Sequence, residues 1–124
     1  MDRYVMIALG GALGAVARYQ VALLVHARVP AGFPWGTFVV NISGCFVMGL
    51  VTTVLTERLI GHPNWRFLIP IGFIGAYTTF STFELETFRA VSERAFLVGG
   101  ANIVGSVVIG YAALWAGVLL ARQF

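Results

Sequence analysis

Apolar residues gather in four long stretches, at about residues 4–26, 36–56, 67–88 and 95–120, separated by short segments where Pro, Gly and charged residues collect. About 20 predominantly apolar residues span the hydrocarbon core of a bilayer as one helix. The pattern therefore predicts an all-α membrane protein, with four transmembrane helices forming a single domain over residues 1–124. Almost no chain is left for a soluble domain. The first stretch resembles a signal peptide in position only. It is long, carries Arg18 well inside it and shows no persuasive small-residue cleavage site, so it is read as a mature helix.

The third stretch breaks the apolar pattern most strongly. Residues 75–88, GAYTTFSTFELETF, hold five serine and threonine hydroxyls, three phenylalanines and two glutamates. Gly72 and Gly75 precede the pair Thr78 and Thr79, near the middle of the stretch, which puts helix continuity there in question. Two readings fit. In one, the helix is unbroken and the threonine hydroxyls bond back to carbonyls one turn earlier. In the other, it breaks at the membrane midplane and exposes backbone carbonyls suited to a small hard cation such as Na⁺. Such a break is tolerated only within protein or along a cavity, which would set Gly75 and Thr78 at a subunit contact.

Beyond that point Phe80 and Phe83 stand three residues apart, so helical spacing gives them a common face that Glu84 and Thr87 continue. Ser81 and Thr82 occupy adjacent faces. The two rings either pack or present their positive edges to a small anion. Glu84 and Glu86 lie near the end of the stretch, where water or headgroups solvate a carboxylate, and Glu86 is a candidate for the mouth of a pore.

Asn41, Asn102 and Ser106 are further polar residues within the apolar stretches. They serve either interhelical hydrogen bonding or a donor-lined track for an ion that must be dehydrated and then released. Arg18 either snorkels outward along its stem or sits in an aqueous vestibule that attracts anions. Small residues recur in the first, second and fourth stretches, among them the GxxxG pair Gly10 and Gly14, which allows close helix approach without naming the partner helix. Cys45 has no second cysteine to pair with in its own chain and is read as a small packing residue.

Composition agrees: of 124 residues, 59% are hydrophobic and only 10% charged. The mean hydropathy is +0.88. The basic residues are eight arginines and no lysine, thinly spread, so no nucleic-acid-binding patch forms. Across four spans they divide as Arg3, Arg58, Arg66 and Arg122 on one side against Arg28, Arg89 and Arg94 on the other. Orientation follows a lysine and arginine excess on the cytoplasmic side, and this division is close to none. Either a single charge decides, or the chain inserts both ways and opposite copies pair antiparallel. Four short helices also enclose little volume, so an oligomer is expected on size. No span carries a metal-ligand cluster, a nucleophile with a base partner or a phosphate-cradling loop, and His26 and His62 sit at span ends or in loops; the chain does not read as an enzyme.

The segments GGALGAVARY at 10–19, GTFVVNISGCF at 36–46, GFIGAYTTFSTFELE at 72–86, and Asn102 followed by Gly105 and Ser106 resemble the Fluc (CrcB) family of fluoride channels. The resemblance covers essentially the whole chain. It implies a multi-pass protein of the bacterial inner membrane, an antiparallel homodimer of dual topology surrounded by lipid, and two fluoride pathways along the subunit interface. It also implies a central Na⁺ that is structural and not transported. Carried over by position, Gly75 and Thr78 resemble the residues whose backbone carbonyls hold that Na⁺, and Phe80 and Phe83 resemble the family's paired phenylalanines beside fluoride. Asn41 resembles its anion-donating asparagine. Ser81, Thr82, Asn102 and Ser106 fall where a polar track runs, and Arg18 and Glu86 match positions near the pore ends. Val98 stands where some members have a tyrosine one turn before Asn102, which leaves that end of the track undefined.

On this resemblance the function is passive, selective fluoride export that lowers cytoplasmic fluoride and gives fluoride resistance. Fluoride is small, strongly hydrated and accepts hydrogen bonds without donating them, so hydroxyls and amides can replace its water. The alternative from architecture alone is a small multidrug exporter, also four-span and short. Proton-coupled export needs a carboxylate within a span, typically the first, and here Asp2 precedes it. A non-transporting assembly subunit and an ordinary cation channel are the remaining rivals.

Overall fold

In a computed structural model that describes residues 2–58 and 61–124, the protein is all-helical among the described residues. Helix α1 is Arg3–His26, α2 is Trp35–Thr56, α3 is the short Gly75–Tyr77, α4 is Phe80–Ser92 and α5 is Phe96–Ala121. A π-helical stretch, Phe67–Ile74, runs directly into α3. Helices α1, α2 and α5 are long and apolar enough to cross a membrane. Residues 67–88, expected as one span, are divided among the π-helical stretch, α3 and α4.

The local causes are legible at several ends. The Asp2 carboxylate caps α1 by accepting from the Tyr4 N–H at 3.2 Å. Phe33, Trp35 and Phe38 form an aromatic cluster around the start of α2, with centroids 4.7–5.8 Å apart, and Trp35 among them has the amphipathic ring that settles at headgroup level. Pro70 lies inside the π-helical stretch, where it has no N–H to give to a helical ladder. The Gly75 N–H reaches back to Pro70 O, five residues away, which is the wider π spacing. Between α4 and α5 the Ala95 N–H bonds Ala90 O and the Arg94 N–H bonds Val91 O, a Schellman closure. Arg94 takes the left-handed position usually given to glycine, with φ of 60°.

Two close helix pairs build the bundle: α1 against the π-helical stretch, and α2 against α5. Glycine makes both possible. A Cβ on Gly10 would overlap the Leu68 carbonyl, and one on Gly14 the Phe73 carbonyl, so the GxxxG face of α1 is the face that meets the third segment. In the other pair Gly49 lies on the Leu114 carbonyl and Gly117 on the Phe46 carbonyl. Each glycine rests on the residue three before the opposing glycine, so the contact is reciprocal.

Polarity runs opposite to that of a soluble protein. The buried residues include Thr37, Thr53, Thr79, Thr87 and Asn102, whereas Leu13, Val16, Leu97, Val107 and Tyr111 are exposed. In water so large an apolar exterior would drive association. In a bilayer, lipid or another subunit covers it.

At one end of the bundle Arg122 donates from Nε and Nη2 to the Glu57 carboxylate, at 2.9 and 2.8 Å, and Arg58 donates to the Arg122 carbonyl. The guanidinium holds Glu57's carboxyl below its usual range. A lowered folded value stabilises above the unfolded glutamate value of about 4.3, and that contribution is lost as pH falls through the folded value. The pair is exposed, so it is weak. Glu57→Gln is therefore expected to lower thermal stability slightly at neutral pH, and the difference from wild type should close below about pH 4.

Gly14→Ala should destabilise the protein by about 2 kcal/mol or more, because the Phe73 backbone must move away from the new methyl. Gly11→Ala, whose Cβ would meet nothing nearer than 3.9 Å, should stay within about 0.5 kcal/mol of wild type in the same unfolding titration.

Candidate functional site

The site is built around the two residues that interrupt the third segment. Thr78 has φ −78° and ψ 154°, and Thr79 has φ −146° and ψ 112°, so both are extended between the helical residues on either side. Thr78 ends the first part, with its N–H and its hydroxyl both donating to Ile74 O at 3.1 Å. Thr79 begins the second, its hydroxyl oxygen accepting from the Thr82 N–H at 3.3 Å as the N-cap of α4.

Asn41 of α2 holds this link in place. Its Oδ1 accepts from the Thr79 N–H at 2.8 Å and its Nδ2 donates to Thr79 O at 3.0 Å. The side-chain amide thus pairs with a backbone residue as an adjacent strand would, satisfying both groups of buried Thr79. The consequence reaches two carbonyls. In a continuous helix Gly75 O accepts from the Thr79 N–H, and Thr78 O from the Thr82 N–H. Here those donors are committed to Asn41 and to the Thr79 hydroxyl.

Gly44 allows α2 to approach so closely. A Cβ there would strike Thr78 Cγ2 and lie 3.3 Å from the Tyr77 ring. Tyr77 stacks on Phe73 at 6.0 Å, and its hydroxyl is 2.9 Å from Ser43 Oγ.

A groove of about 290 Å³ opens on one side of the link, lined by Asn41, Thr78, Thr79, Phe80, Phe83 and Ser106 among others. The rings of Phe80 and Phe83 are 5.6 Å apart and inclined at 43°. Their common face is only partial: Phe83 is 6% exposed and Phe80 74%. Helix α4 packs along Phe83 and Thr87, which are buried, and Phe80 and Glu84 fall at the edge of that contact. Behind the groove a directed chain runs through α4 and α5. The Ser106 hydroxyl donates to Asn102 Oδ1 at 3.2 Å, Asn102 Nδ2 donates to Thr87 Oγ1 at 3.0 Å, and Thr87 donates to Phe83 O at 2.9 Å.

A second cavity, of about 230 Å³, lies on the other side and is lined by Arg18, Tyr19, Ala22, Thr37, Val40, Thr79 and Thr82. Arg18 thus shares this cavity with Thr82 and Thr37. Thr37 in turn donates to Glu86 Oε1 at 2.8 Å, while Glu86 Oε2 is buried without a hydrogen-bond partner among the described residues.

Of the residues singled out in the sequence, Asn41, Phe80, Phe83 and Ser106 share the groove with Thr78, and Asn102 backs it through Ser106. Arg18 and Thr82 share the second cavity, and Glu86 joins it through Thr37. Ser81 is exposed and lines neither. Sequence reasoning passed over Thr37 and Thr79 as site residues and gave Thr87 no partner. Each is a small hydroxyl residue in an apolar stretch, which is the only signal available without knowing what it faces.

These features define a class: a multi-pass membrane protein with a few buried polar side chains between its helices, Thr37 and Thr79 among them lining cavities. Comparison with known proteins is more specific. Residues 5–118 match the family model described as CrcB-like protein, Camphor Resistance (CrcB). The chain is 56% identical to the fluoride-specific ion channel FluC of Solibacter usitatus, over 98% of this chain and 99% of that one. It is 46% identical to the protein of the same name from Acidobacterium capsulatum, over 98% and 97% of the two chains. A third relative of that name, from Hahella chejuensis, is also 46% identical, over 95% of this chain and 93% of its own. The chain belongs to the CrcB family and is a multi-pass protein of the bacterial plasma membrane.

Asn41→Ala should cost about 2–4 kcal/mol in chemical unfolding, since it strips both partners from the Thr79 backbone. Asn41→Asp keeps the acceptor for the Thr79 N–H but sets an anion against the Thr79 carbonyl. It should recover only part of that loss.

Proposed function

We propose that the chain forms a fluoride-selective channel that lets fluoride leave the cell passively and so lowers cytoplasmic fluoride. The observation that carries the reading is the uncharged lining of the groove beside the Thr78–Thr79 link, where Asn41 and Ser106 stand next to the Phe80 and Phe83 rings. Amide and hydroxyl donors replace the water of a small, strongly hydrated acceptor, and uncharged donors let it go again. The relatives, fluoride-specific ion channels by name, support the same cargo. The alternative, proton-coupled export, lacks its usual carboxylate in the first span, because Asp2 is the only acid before Glu57 and it caps α1 from outside.

The assembly we propose is an antiparallel homodimer with fluoride pathways at the subunit interface. Phe80 and Gly75 are exposed on the same segment that frames the groove, so a second copy would give both a cover. The Gly75 and Thr78 carbonyls, whose helical donors are committed elsewhere, fit a Na⁺ ion as hard oxygen ligands. When bound, the ion supplies one positive charge that draws such carbonyls from two chains together and is not itself transported. Thr82 lines the second cavity, exposed Ser81 would join a pathway only where a second copy covers it, and Arg18 and Glu86 set the charge near one end.

The test is ion efflux from liposomes containing only this purified protein, with fluoride and chloride measured in parallel. Rapid fluoride loss with chloride retained is the expected result. Vesicles that hold folded protein yet retain fluoride would return the groove to a packing role. In active vesicles, Phe80→Ala should slow fluoride loss at least tenfold, which equals about 1.4 kcal/mol on the barrier.

A further inference from the structure

The hydrogen bonds around the second cavity have directions, and these leave particular donors unused. The Thr37 hydroxyl donates to Glu86 Oε1 at 2.8 Å. Thr79 and Thr82 are paired twice: the Thr79 oxygen accepts from the Thr82 N–H at 3.3 Å, and the Thr79 hydroxyl donates to Thr82 Oγ1 at 3.0 Å. A hydroxyl has one proton to give and two lone pairs to receive with. The protons of Thr37 and Thr79 are therefore committed, whereas that of Thr82 has no acceptor among the described residues. Arg18 lines the same cavity and makes no ion pair among the described residues, where the one such pair joins Arg122 to Glu57. The cavity thus holds two open donors, the Thr82 hydroxyl and the Arg18 guanidinium.

Glu86 is the acid placed to close one of them. It follows Thr82 by four residues on α4, and side chains so spaced are neighbours on one helix face. Its Oε2 is buried with no partner among the described residues, so the bond from Thr37 is the one hydrogen bond that fixes the carboxylate. A buried carboxylate oxygen without a donor is costly, and a hydroxyl one turn away on the same helix would relieve that cost. What holds Glu86 away is Thr37, which is 7% exposed and set in the first turn of α2.

Resting on the fluoride reading above, we propose that Thr37 is a positioning residue that parks the Glu86 carboxylate against α2 and so keeps the Thr82 hydroxyl and Arg18 open to the anion. Without the Thr37 hydroxyl, Glu86 turns back along α4 and accepts the Thr82 proton. Its charge then lies in the cavity, where it occupies the donor that fluoride needs and repels the ion as well. The competitor for the pathway's donors is a carboxylate of the chain itself, and one threonine holds it off.

The experiment is fluoride current across planar bilayers, at fixed pH and free fluoride, for wild type, Thr37→Val, Thr37→Ser, Glu86→Ala and the Thr37→Val/Glu86→Ala double variant, each shown to be folded. Valine keeps the branched shape of threonine and lacks its hydroxyl. Thr37→Val should lower the current about fivefold, an effect of the size of one net hydrogen bond. Thr37→Ser, which keeps the hydroxyl, should recover the current to within about twofold of wild type. Adding Thr37→Val to Glu86→Ala should change the current by less than about twofold, because no carboxylate is left to release. A packing role for Thr37 would instead give the same loss in both backgrounds. If Glu86→Ala is itself silent, Glu86→Gln takes its place, and the loss on adding Thr37→Val should again shrink to less than about twofold, since an amide brings no charge into the cavity. A Thr37→Val current equal to that of wild type, or an undiminished loss in the Glu86 variants, overturns the role of Thr37 while leaving the channel reading intact. If wild-type protein carries no fluoride current at all, both fall together.

Discussion

The pairing of the Asn41 side chain with both backbone groups of Thr79 is the contact on which the rest of this site depends. An extended residue inside a membrane bundle has an N–H and a carbonyl that no helix ladder satisfies, and lipid offers no substitute. One amide side chain supplies both partners. With Thr79 fixed, Thr78 can end one helical piece, the Thr79 hydroxyl can start the next, and the carbonyls of Gly75 and Thr78 are left without their helical donors. The phenylalanines, the groove and the second cavity all take their positions from that link.

The approach of α2 needed for this pairing has its own requirement, met by Gly44 beneath Thr78 and Tyr77. The same economy recurs along the bundle, where glycines rest on carbonyls of neighbouring helices. Helices that touch backbone to backbone gain dispersion and weak Cα–H···O contacts, which replace a hydrophobic drive that lipid does not supply. The wider turn around Pro70 accompanies this contact on the α1 side, where Gly10 and Gly14 face the π-helical stretch.

Hydrogen bonding behind the groove ties α4 to α5. Ser106, Asn102 and Thr87 form a directed chain that ends on the Phe83 carbonyl, so the Ser106 proton is already committed. Each link satisfies a polar group between α4 and α5, as their apolar surroundings require.

The membrane-spanning, all-helical character is legible in the sequence, because each span is a local run of apolar residues whose backbone bonds close within the run. The sequence also marked Asn41, Asn102, Thr78 and Glu86 as unusual, since polar groups in hydrocarbon need a reason. What those residues do was decided only by tertiary structure. Asn41 meets Thr79 across 38 residues and Thr37 meets Glu86 across 49, pairings that no periodicity encodes. The GxxxG pair announced a close contact without its partner, and helical spacing put Phe80 and Phe83 on one face when packing against α5 buries only the second. Local pattern tells which backbone can form, and only packing tells which side chain a distant helix leaves room for.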